Sequence, residues 1–240
     1  MNSIDTKGFL PLLDVHIYEA GYTQNCPKIK EISFHIELGS LTGLIGPNGA
    51  GKSTTLKAIL GVLPYIEAKI EFHGAQNYAY IPEQPVFYDT LTLWEHLELA
   101  ATVYGIDEHI FYEEANSLLE QFRMEDARDL FPAGFSKGMQ QKMMLIIGFL
   151  AHPDIYIVDE PFVGLDPRAT KDFLGLLESE RARGAAVLMS THVLDTAERI
   201  CNHFVLISSG SIKAQGTLRD IQNQSGLCGG SLFDCFDKLT

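Results

Sequence analysis

The segment from residue 46 to residue 53 places the strongest constraint on how this chain can fold. It has the spacing G-x-x-x-x-G-K-[ST], in which a glycine-rich turn directs its backbone N–H groups inward and creates a concave anion site. An apolar run at residues 41–45 precedes it, and a helix predicted to begin near Lys52 follows it. This order of strand, turn and helix predicts an α/β fold that holds phosphate groups at the turn. The residues of the turn are Gly46, Pro47, Asn48, Gly49, Ala50, Gly51, Lys52 and Ser53.

Each part of this loop has an expected task. The positive N-terminal end of the following helix adds to the attraction for anions. Lys52 would reach the outer phosphates of a nucleotide, and the Ser53 hydroxyl would ligate Mg²⁺. We therefore predict a nucleotide-binding segment from Gly46 to Thr54, with Mg²⁺ as its metal.

The composition limits which partners the chain can have. Its 240 residues are 46% hydrophobic, which predicts a globular chain with one large domain or two lobes around a buried core. The net charge of −13 argues against nucleic acid as a partner, which needs clustered Lys and Arg, and against adsorption to anionic lipid. Salt screens surface charge within about 8 Å, so the loop amides and Lys52 decide whether a polyanion such as ATP binds.

The cysteines and the apolar runs indicate which cellular compartment the protein occupies. The four cysteines, at positions 26, 201, 228 and 235, form no C-x-x-C pair, so we expect reduced thiols and no zinc cluster. Residues 1–5 lack the charged-then-apolar pattern of a signal peptide. The longest apolar run, residues 143–151, is far shorter than the roughly 20 residues that span a bilayer. We expect no direct insertion into lipid, so at a membrane another chain must hold the protein in place.

The spacing of apolar residues divides the chain into zones. Residues 10–45 are β-rich, and residues 69–82 are predicted to hold a further strand pair with a turn at Gly74. Residues 90–150 change to the three- and four-residue steps of helices. From residue 154 onward strands and helices alternate, as in a parallel sheet with crossover helices. The predicted elements there are 155–158, 170–183, 186–190, 193–201 and 204–208.

A second motif stands at the end of a predicted buried strand. Four apolar residues, 155–158, are followed by Asp159 and Glu160. Ligands bind at the carboxyl end of strands in open α/β sheets. Asp159 is placed to hold Mg²⁺, directly or through water, and Glu160 is then free to act as general base on an attacking water. The alternative is a strand end with two solvated acids, which the phosphate-binding loop upstream disfavours.

These motifs, with several weaker ones in the same order, resemble the ATPase subunits of ABC transporters. Gln84 matches the family's Q-loop, in which a glutamine contacts Mg²⁺ and the attacking water. Asp166 matches the D-loop, which reaches across a dimer interface, and His192 matches the switch histidine that contacts the γ-phosphate. Each match has a plainer alternative, which is a polar loop residue for Gln84 and a helix-start residue for Asp166 and His192.

Residues 135–142 stand where this family carries its L-S-G-G-Q signature. Ser136 and Gly138 match the signature, and Ser136 is a good N-cap for the helix that follows. In the family these groups bind the γ-phosphate of ATP held by the other subunit. Lys137 replaces a glycine and adds positive charge, whereas Met139 replaces a glutamine whose contact it cannot make. A plain helix N-cap is the alternative.

The family also places an aromatic side chain before the loop, where it stacks on adenine. Tyr22 fits that position through the spacing of residues 20–23, and Tyr18 is a competing candidate. A tyrosine of the core is a further alternative for Tyr22.

Four short stretches, residues 81–83, 93–99, 135–139 and 187–192, are similar to the Ecs-type bacterial exporters within this family. Those ATPases pair with a separate membrane protein and are linked to peptide export and protein secretion. The resemblance implies ATP hydrolysis between two subunits, either a homodimer or a pair with a second cassette. It also implies a cytoplasmic location on the inner face of the cell membrane. Contact with an integral membrane permease is expected near Phe87, Tyr88 and Trp94, which are otherwise core residues.

The predicted fold class is α/β, a P-loop NTPase core of the RecA-like type with an antiparallel β subdomain and an inserted α-helical subdomain. Residues 1–83 and 151–220 are assigned to the core and its β subdomain. Residues 84–150 are assigned to the helical subdomain that carries the signature, and residues 221–240 to a short amphipathic C-terminal tail.

Two other functions stay open at this point. The first is a soluble ABC-type ATPase that acts on ribosomes or nucleic acid. Such proteins carry two cassettes or long insertions and basic patches, whereas this chain has one cassette and a net charge of −13. The second is a P-loop GTPase or small-molecule kinase. A GTPase would carry an N-K-x-D motif for guanine, and the sequence has none.

Overall fold

The computed structural model of the protein describes residues 11–75 and 77–240. Two expectations for residues 1–10, that they begin the core and that they carry no signal peptide, lie outside the described residues. The described chain folds into a three-stranded sheet and a six-stranded sheet with helices packed around them. The strands are β1 Leu13–Gly21, β2 Ile29–Ile36, β3 Leu41–Ile45, β4 Tyr65–Phe72, β5 Tyr78–Ile81, β6 Ile155–Asp159, β7 Ala186–Thr191, β8 His203–Ser208 and β9 Ser211–Gly216.

The helices fall into two groups. α2, α3 and α4 follow one another in the middle of the chain, and the others flank the strands. Within the described ranges no helix combines the length and the apolar content that crossing a bilayer requires. The helices are α1 Lys52–Ile59, α2 Leu93–Tyr104, α3 Glu108–Phe122, α4 Lys137–Leu150, α5 Pro167–Arg183, α6 Leu194–Ile200, α7 Leu218–Ser225 and α8 Leu232–Leu239.

The larger sheet has the strand order β5-β6-β7-β3-β8-β9. The pairs from β5 to β8 are parallel, which confirms the parallel sheet predicted from the alternation of strands and helices. β9 pairs antiparallel with β8 and is the edge strand on that side of the sheet. The sequence analysis did not predict β9. The central strands β3, β6 and β7 are fully buried, as expected of a sheet covered on both faces.

The smaller sheet has the order β2-β1-β4 and is antiparallel. The predicted strand pair within residues 69–82 is wrong, because its two strands belong to different sheets. β4 pairs with β1, whereas β5 pairs in parallel with β6 of the larger sheet. The chain leaves one sheet for the other near Gly74, whose φ of 75° is in the left-handed region. Local patterns identify strands, but pairing is decided by the partners that the rest of the chain supplies.

The core consists of two apolar layers, one on each face of the larger sheet. Successive residues of β6 point to opposite faces, so Ile155 and Ile157 belong to one layer and Tyr156 and Val158 to the other. The first layer is shared with the three-stranded sheet and α1. The second layer is shared with the helices of the middle segment and with the C-terminal helices. The six-stranded sheet is therefore the common support of all the other elements.

The middle helices begin at well-formed caps. Thr92 caps α2 in a capping box with Glu95, and Asp107 and Ser136 cap α3 and α4 through their side chains. Trp94 is only 7% exposed, lies 5.0 Å from Phe111 between ring centroids, and is therefore a core residue.

Of the other two aromatics proposed to contact a membrane partner, Phe87 packs partly buried against the core. Tyr88 is 62% exposed and stacks on His96. Tyr88 is therefore the one of the three aromatics, Phe87, Tyr88 and Trp94, that is free to meet another chain.

The C-terminal segment ends in α8, which packs against α6 and α7. Leu232 and Cys235 on its inner face are fully buried, and the backbone N–H of Leu232 donates to Glu198 Oε2 at 2.6 Å. The exposed Phe233 lies on its outer side. The predicted boundary at residue 221 falls within α7, so the segment that packs on the core begins before that residue.

His152 connects α3 to α5. It follows α4, has a φ of 40°, and its ring lies between a carboxylate of α3 and a carboxylate of α5. His152 Nε2 is 3.4 Å from Glu114 Oε2, and Nδ1 is 3.1 Å from Glu180 Oε1. Glu180 also accepts hydrogen bonds from Tyr156 and Arg183. Burial opposes ionisation of Glu180, but the bonds from His152, Arg183 and Tyr156 outweigh it and lower its pKa to about 2.

The stability of this link should depend on pH. The hydrogen bond with Glu180 raises the pKa of His152 above its ordinary value of 6.5. The pairing therefore stabilises the fold fully below pH 6.5, and its contribution is lost as the pH rises through the folded-state pKa. We expect wild-type protein to lose up to about 1 kcal/mol of unfolding free energy over that range relative to His152→Gln, because the ring is partly exposed. Urea denaturation at a series of pH values measures this difference. His109→Gln, at an exposed surface pair with Glu113, is the control. Equal slopes of unfolding free energy against pH for wild type and His152→Gln would contradict this prediction.

Candidate nucleotide-binding site

The site lies at the carboxyl edge of three neighbouring strands. The sheet order brings β6, β7 and β3 side by side, so the segments that follow them meet in space. The phosphate-binding loop follows β3, Asp159 and Glu160 end β6, and His192 follows β7. Crossover connections between parallel strands produce this convergence from segments more than one hundred residues apart.

Backbone geometry of the loop requires its glycines. Gly49 and Gly51 have φ values of 82° and 113°, which side chains rarely adopt. At Gly46 a Cβ would lie 2.2 Å from the carbonyl oxygen of Ile207, so no larger residue fits there. Lys52 begins α1 and its Nζ donates to the carbonyl oxygen of Gly46 at 2.8 Å, which folds the lysine back over the loop.

Ser53 and Asp159 are held together across the sheet. Ser53 Oγ donates to Asp159 Oδ1 at 3.2 Å, and Asp159 is only 3% exposed. Ser190 on β7 also donates to Asp159 Oδ1 through its side-chain hydroxyl. A hydroxyl and a carboxylate in contact supply the oxygen ligands that Mg²⁺ prefers. No group of three or more His, Cys, Asp or Glu side chains suited to a metal occurs in the described part of the chain.

Glu160 occupies the centre of a charged cluster. It is 6% exposed and has a φ of 48°, and its backbone N–H donates to the carbonyl oxygen of Ser190 at 3.2 Å. Its Oε1 lies 3.2 Å from Lys52 Nζ, an ion pair without hydrogen-bond geometry, and its Oε2 lies 2.9 Å from His192 Nδ1. Glu160, Lys52 and His192 were each predicted from separate motifs, and the fold brings them together.

A cavity of about 280 Å³ opens at this edge of the sheet. Two of its lining residues, Lys28 and Glu83, were missed by the sequence analysis. Glu83 lies beside the predicted Gln84, which is itself exposed. No sequence pattern marks Lys28, because its position depends on how the two sheets pack. That packing is close, since a Cβ on Gly210 would lie 2.3 Å from the Lys28 carbonyl oxygen. The lining residues are Lys28, Asn48, Gly49, Gly51, Lys52, Ser53, Thr54, Glu83, Glu160 and His192.

Both candidates for the adenine-stacking aromatic lie at the surface. Tyr22 is 54% exposed and Tyr18 is 57% exposed. Tyr22 is therefore not a core residue. Neither side chain is among those that line the cavity.

The signature segment lies apart from this cavity. Ser136 caps α4, with its hydroxyl accepting the Met139 N–H at 3.3 Å, and both Ser136 and Lys137 are exposed. Met139 packs partly buried against the core, which gives its apolar side chain a structural partner. The chain therefore presents the predicted phosphate-binding end of α4 outward and not to its own loop.

The D-loop touches the signature segment. Asp166 caps α5 by accepting the N–H groups of Arg168 and Ala169, and its Oδ2 lies 3.7 Å from Lys142 Nζ of α4. These contacts, led by the Ala169 N–H, lower the pKa of Asp166. The two segments also meet at their backbones, because a Cβ on Gly138 would lie 2.7 Å from the carbonyl oxygen of Gly164. The two segments therefore form one continuous surface.

A glycine-rich loop with its lysine and serine, in contact with two acids at the end of another strand of the same parallel sheet, defines the site of a P-loop nucleoside triphosphatase. Comparison with known sequences agrees, since the model of the ABC transporter family matches residues 29–163. The chain is 51% identical over 227 residues to the uncharacterized ABC transporter ATP-binding protein YthP of Bacillus subtilis (strain 168), covering 95% of this chain and 96% of that protein. It is 44% identical over 241 residues to the ABC-type transporter ATP-binding protein EcsA of the same organism, covering 96% and 97%.

A solved structure, described as the ATP binding subunit of an ABC transporter, superimposes with a TM-score of 0.90 at 44% identity and covers 95% of this chain and 99% of that one. The chain belongs to the ABC transporter family as an ATP-binding subunit of the Ecs type. The predicted resemblance and fold class are confirmed, and the protein is an ATPase. The P-loop GTPase or kinase alternative is thereby set aside.

The close approach of Gly138 and Gly164 provides a test of this surface. Gly138→Ala should destabilise the protein by about 1–3 kcal/mol, because backbone atoms must move to admit the methyl group. Gly175→Ala is the matched control, since Gly175 is also helical and has open space, and alanine there should stabilise by about 0.5–1 kcal/mol. Denaturant unfolding measures both variants. The same effect at the two positions would refute the predicted contact.

Proposed function

We propose that this chain hydrolyses ATP as a head-to-tail dimer on the cytoplasmic face of the cell membrane, where it energises export through a separate permease subunit. The observation that carries the proposal is the outward display of Ser136 and Lys137 at the start of α4. Ser136 matches the γ-phosphate-binding signature and Lys137 replaces a glycine of it, and neither residue lines the cavity of its own chain. A second copy would present them to that cavity.

The lining of the cavity supports a site completed by a partner. The cavity at the loop measures about 280 Å³, and none of the residues 136–139 of the same chain lines it. In a dimer ATP would lie between the Gly46–Ser53 loop of one copy and Ser136–Met139 of the other. Asp166, beside the signature, would lie at the same interface.

The residues present suit ATP with Mg²⁺. Ser53 and Asp159, whose oxygens are in contact, would hold the metal, and the loop of Gln84 would reach it on closure. When bound, the metal would neutralise phosphate charge. Lys52 would bind the outer phosphates, and the exposed Tyr22 would stack on the adenine ring.

Hydrolysis would use Glu160 as general base. The oxygen of a water bonds to the γ-phosphorus, the bond from that phosphorus to the ADP oxygen breaks, and Glu160 accepts the proton of the water. The 2.9 Å contact of Glu160 Oε2 with His192 Nδ1 orients the carboxylate. Its Oε1 accepts no hydrogen bond from the described residues and lies 3.2 Å from Lys52 Nζ, so it would become available to the water when Lys52 binds the phosphates. Loss of the γ-phosphate would remove the group that bridges the two copies, and the dimer would open.

The membrane partner would contact the loop after β5. Val86 and Tyr88 in that loop are 74% and 62% exposed, and the loop leads from Gln84 into α2. Closure of the dimer would move this loop with the helical segment that residues 84–150 form. The direction of transport, export of a peptide or similar molecule, follows from the Ecs-type resemblance. Substrate uptake into inverted membrane vesicles that contain the permease tests it, and uptake only into right-side-out vesicles would refute export.

Replacing Glu160 by glutamine tests the role of the base. Glu160→Gln should lower ATP hydrolysis by about 10²–10⁴-fold, because glutamine cannot accept the proton, while ATP still binds and a dimer accumulates. Turnover assays and size-exclusion chromatography with ATP measure the two effects. Glu178→Gln, the same change at an exposed position on α5 outside the cavity, should keep the wild-type activity. Wild-type turnover by Glu160→Gln would exclude it as the base.

A bulky charge at Ser136 tests the split site. Ser136→Arg should abolish dimerisation driven by ATP and reduce hydrolysis at least tenfold, while one chain still binds ATP, because the substituted position lies outside its own cavity. Ser117→Arg places the same change at an exposed position on α3 and should leave dimerisation intact. Sedimentation with ATP distinguishes the variants. Dimerisation of Ser136→Arg at the wild-type ATP concentration would rule out this arrangement.

A further inference from the structure

We propose that Ser190 is a positioning residue for ATP hydrolysis, which orients Asp159 and Glu160 from the neighbouring strand through its side-chain hydroxyl. Ser190 lies on β7, fully buried, in register with Asp159 of β6 on one side and Leu44 of β3 on the other. It belongs to neither the phosphate-binding loop nor the acidic motif. The proposal rests on the roles assigned above to Asp159 and Glu160.

The hydroxyl of Ser190 makes one contact with each acidic residue. It donates to Asp159 Oδ1, and its oxygen accepts the backbone N–H of Glu160 at 3.2 Å. The hydroxyl therefore uses its donor and an acceptor site at once, which alanine could not do. One side chain thus ties the two acids to the middle strand of the site.

The backbone conformation of Glu160 explains why these hydrogen bonds from Ser190 are needed. Its φ of 48° is in the left-handed region, which costs a non-glycine residue about 1 kcal/mol or more unless the surroundings hold it. The Glu160 N–H is held twice, by the carbonyl oxygen and by the hydroxyl of Ser190, each at 3.2 Å. This turn sends the Glu160 side chain toward Lys52 and His192, whereas Asp159 faces Ser53.

Ser190 also holds Asp159 independently of Ser53. Asp159 Oδ1 accepts from both hydroxyls, Ser53 on the loop side and Ser190 on the strand side. If Ser53 were to ligate a metal ion instead, the bond from Ser190 would still hold the Asp159 carboxylate in place. Loss of the Ser190 hydroxyl would therefore displace both acids while leaving the loop that binds the phosphates unchanged.

Ser190→Ala tests this inference against Ser40→Ala. Ser40 is also buried, at 3% exposure, but its hydroxyl bonds to the Glu37 carbonyl oxygen at 2.6 Å, before β3 begins and so away from the carboxyl edge. We expect Ser190→Ala to lower kcat about 10- to 100-fold with the Kd for ATP within twofold of wild type, since small displacements of reacting groups have large effects on rate. Ser40→Ala should keep the wild-type kcat. Steady-state hydrolysis and binding of a fluorescent ATP analogue measure the two constants.

Two further variants identify the cause of any loss. Ser190→Thr retains the hydroxyl and should recover most of the wild-type kcat. Ser190→Cys keeps the volume with a weak donor and takes the place of the alanine variant if that variant does not fold. Unfolding free energies of all variants are measured in parallel. Unchanged kcat in Ser190→Ala or Ser190→Cys overturns the inference. A loss of kcat matched by an equal loss of ATP affinity also overturns it.

Glu160→Gln separates this inference from the proposed function. If Glu160→Gln retains wild-type hydrolysis, the assignment of Glu160 as base fails, and the positioning role of Ser190 fails with it. If Glu160→Gln loses hydrolysis whereas Ser190→Ala retains it, the base assignment stands and the positioning role of Ser190 alone is refuted.

Discussion

The site depends on one hydrogen bond and one ion pair between the loop after β3 and the end of β6. Ser53 bonds to Asp159 at 3.2 Å, and Lys52 pairs with Glu160 at 3.2 Å. Three of these groups, Lys52, Asp159 and Glu160, are buried, which is unfavourable for a charged group unless it is paired. The parallel sheet provides that pairing, because β7 lies between the two strands and supplies Ser190. Any change that slides these strands past one another would leave buried charges unpaired.

A second surface, formed by the signature segment and the D-loop, is separate from this cluster. Gly138 lies against Gly164, and Lys142 of α4 reaches Asp166. The middle helices therefore contact α5 and the segment before it in two places, through Asp166 and through His152, which bridges Glu114 and Glu180.

Much of the site could be predicted from local sequence, because its chemistry depends on short-range patterns. The spacing of glycines, Lys52 and Ser53 requires one particular turn, and an apolar run ending in Asp159 and Glu160 indicates a buried strand with acids at its end. Lys28 and Ser190 could not be found in this way. Their contributions depend on which strands are neighbours, and no pattern near them in the chain reports that.

The sequence by itself determined the nucleotide-binding chemistry, the α/β class and the family, since each follows from residue types at fixed spacing. Only the tertiary structure decided which strands pair, and it showed that β4 and β5 belong to different sheets. It also decided that Tyr22 is exposed and not part of the core, and that Ser136 is exposed and lies outside the cavity of its own chain. The physical reason is that the pairing of strands and the exposure of side chains depend on contacts between distant segments. Such contacts are selected by the packing of the whole core and not by neighbours in the chain.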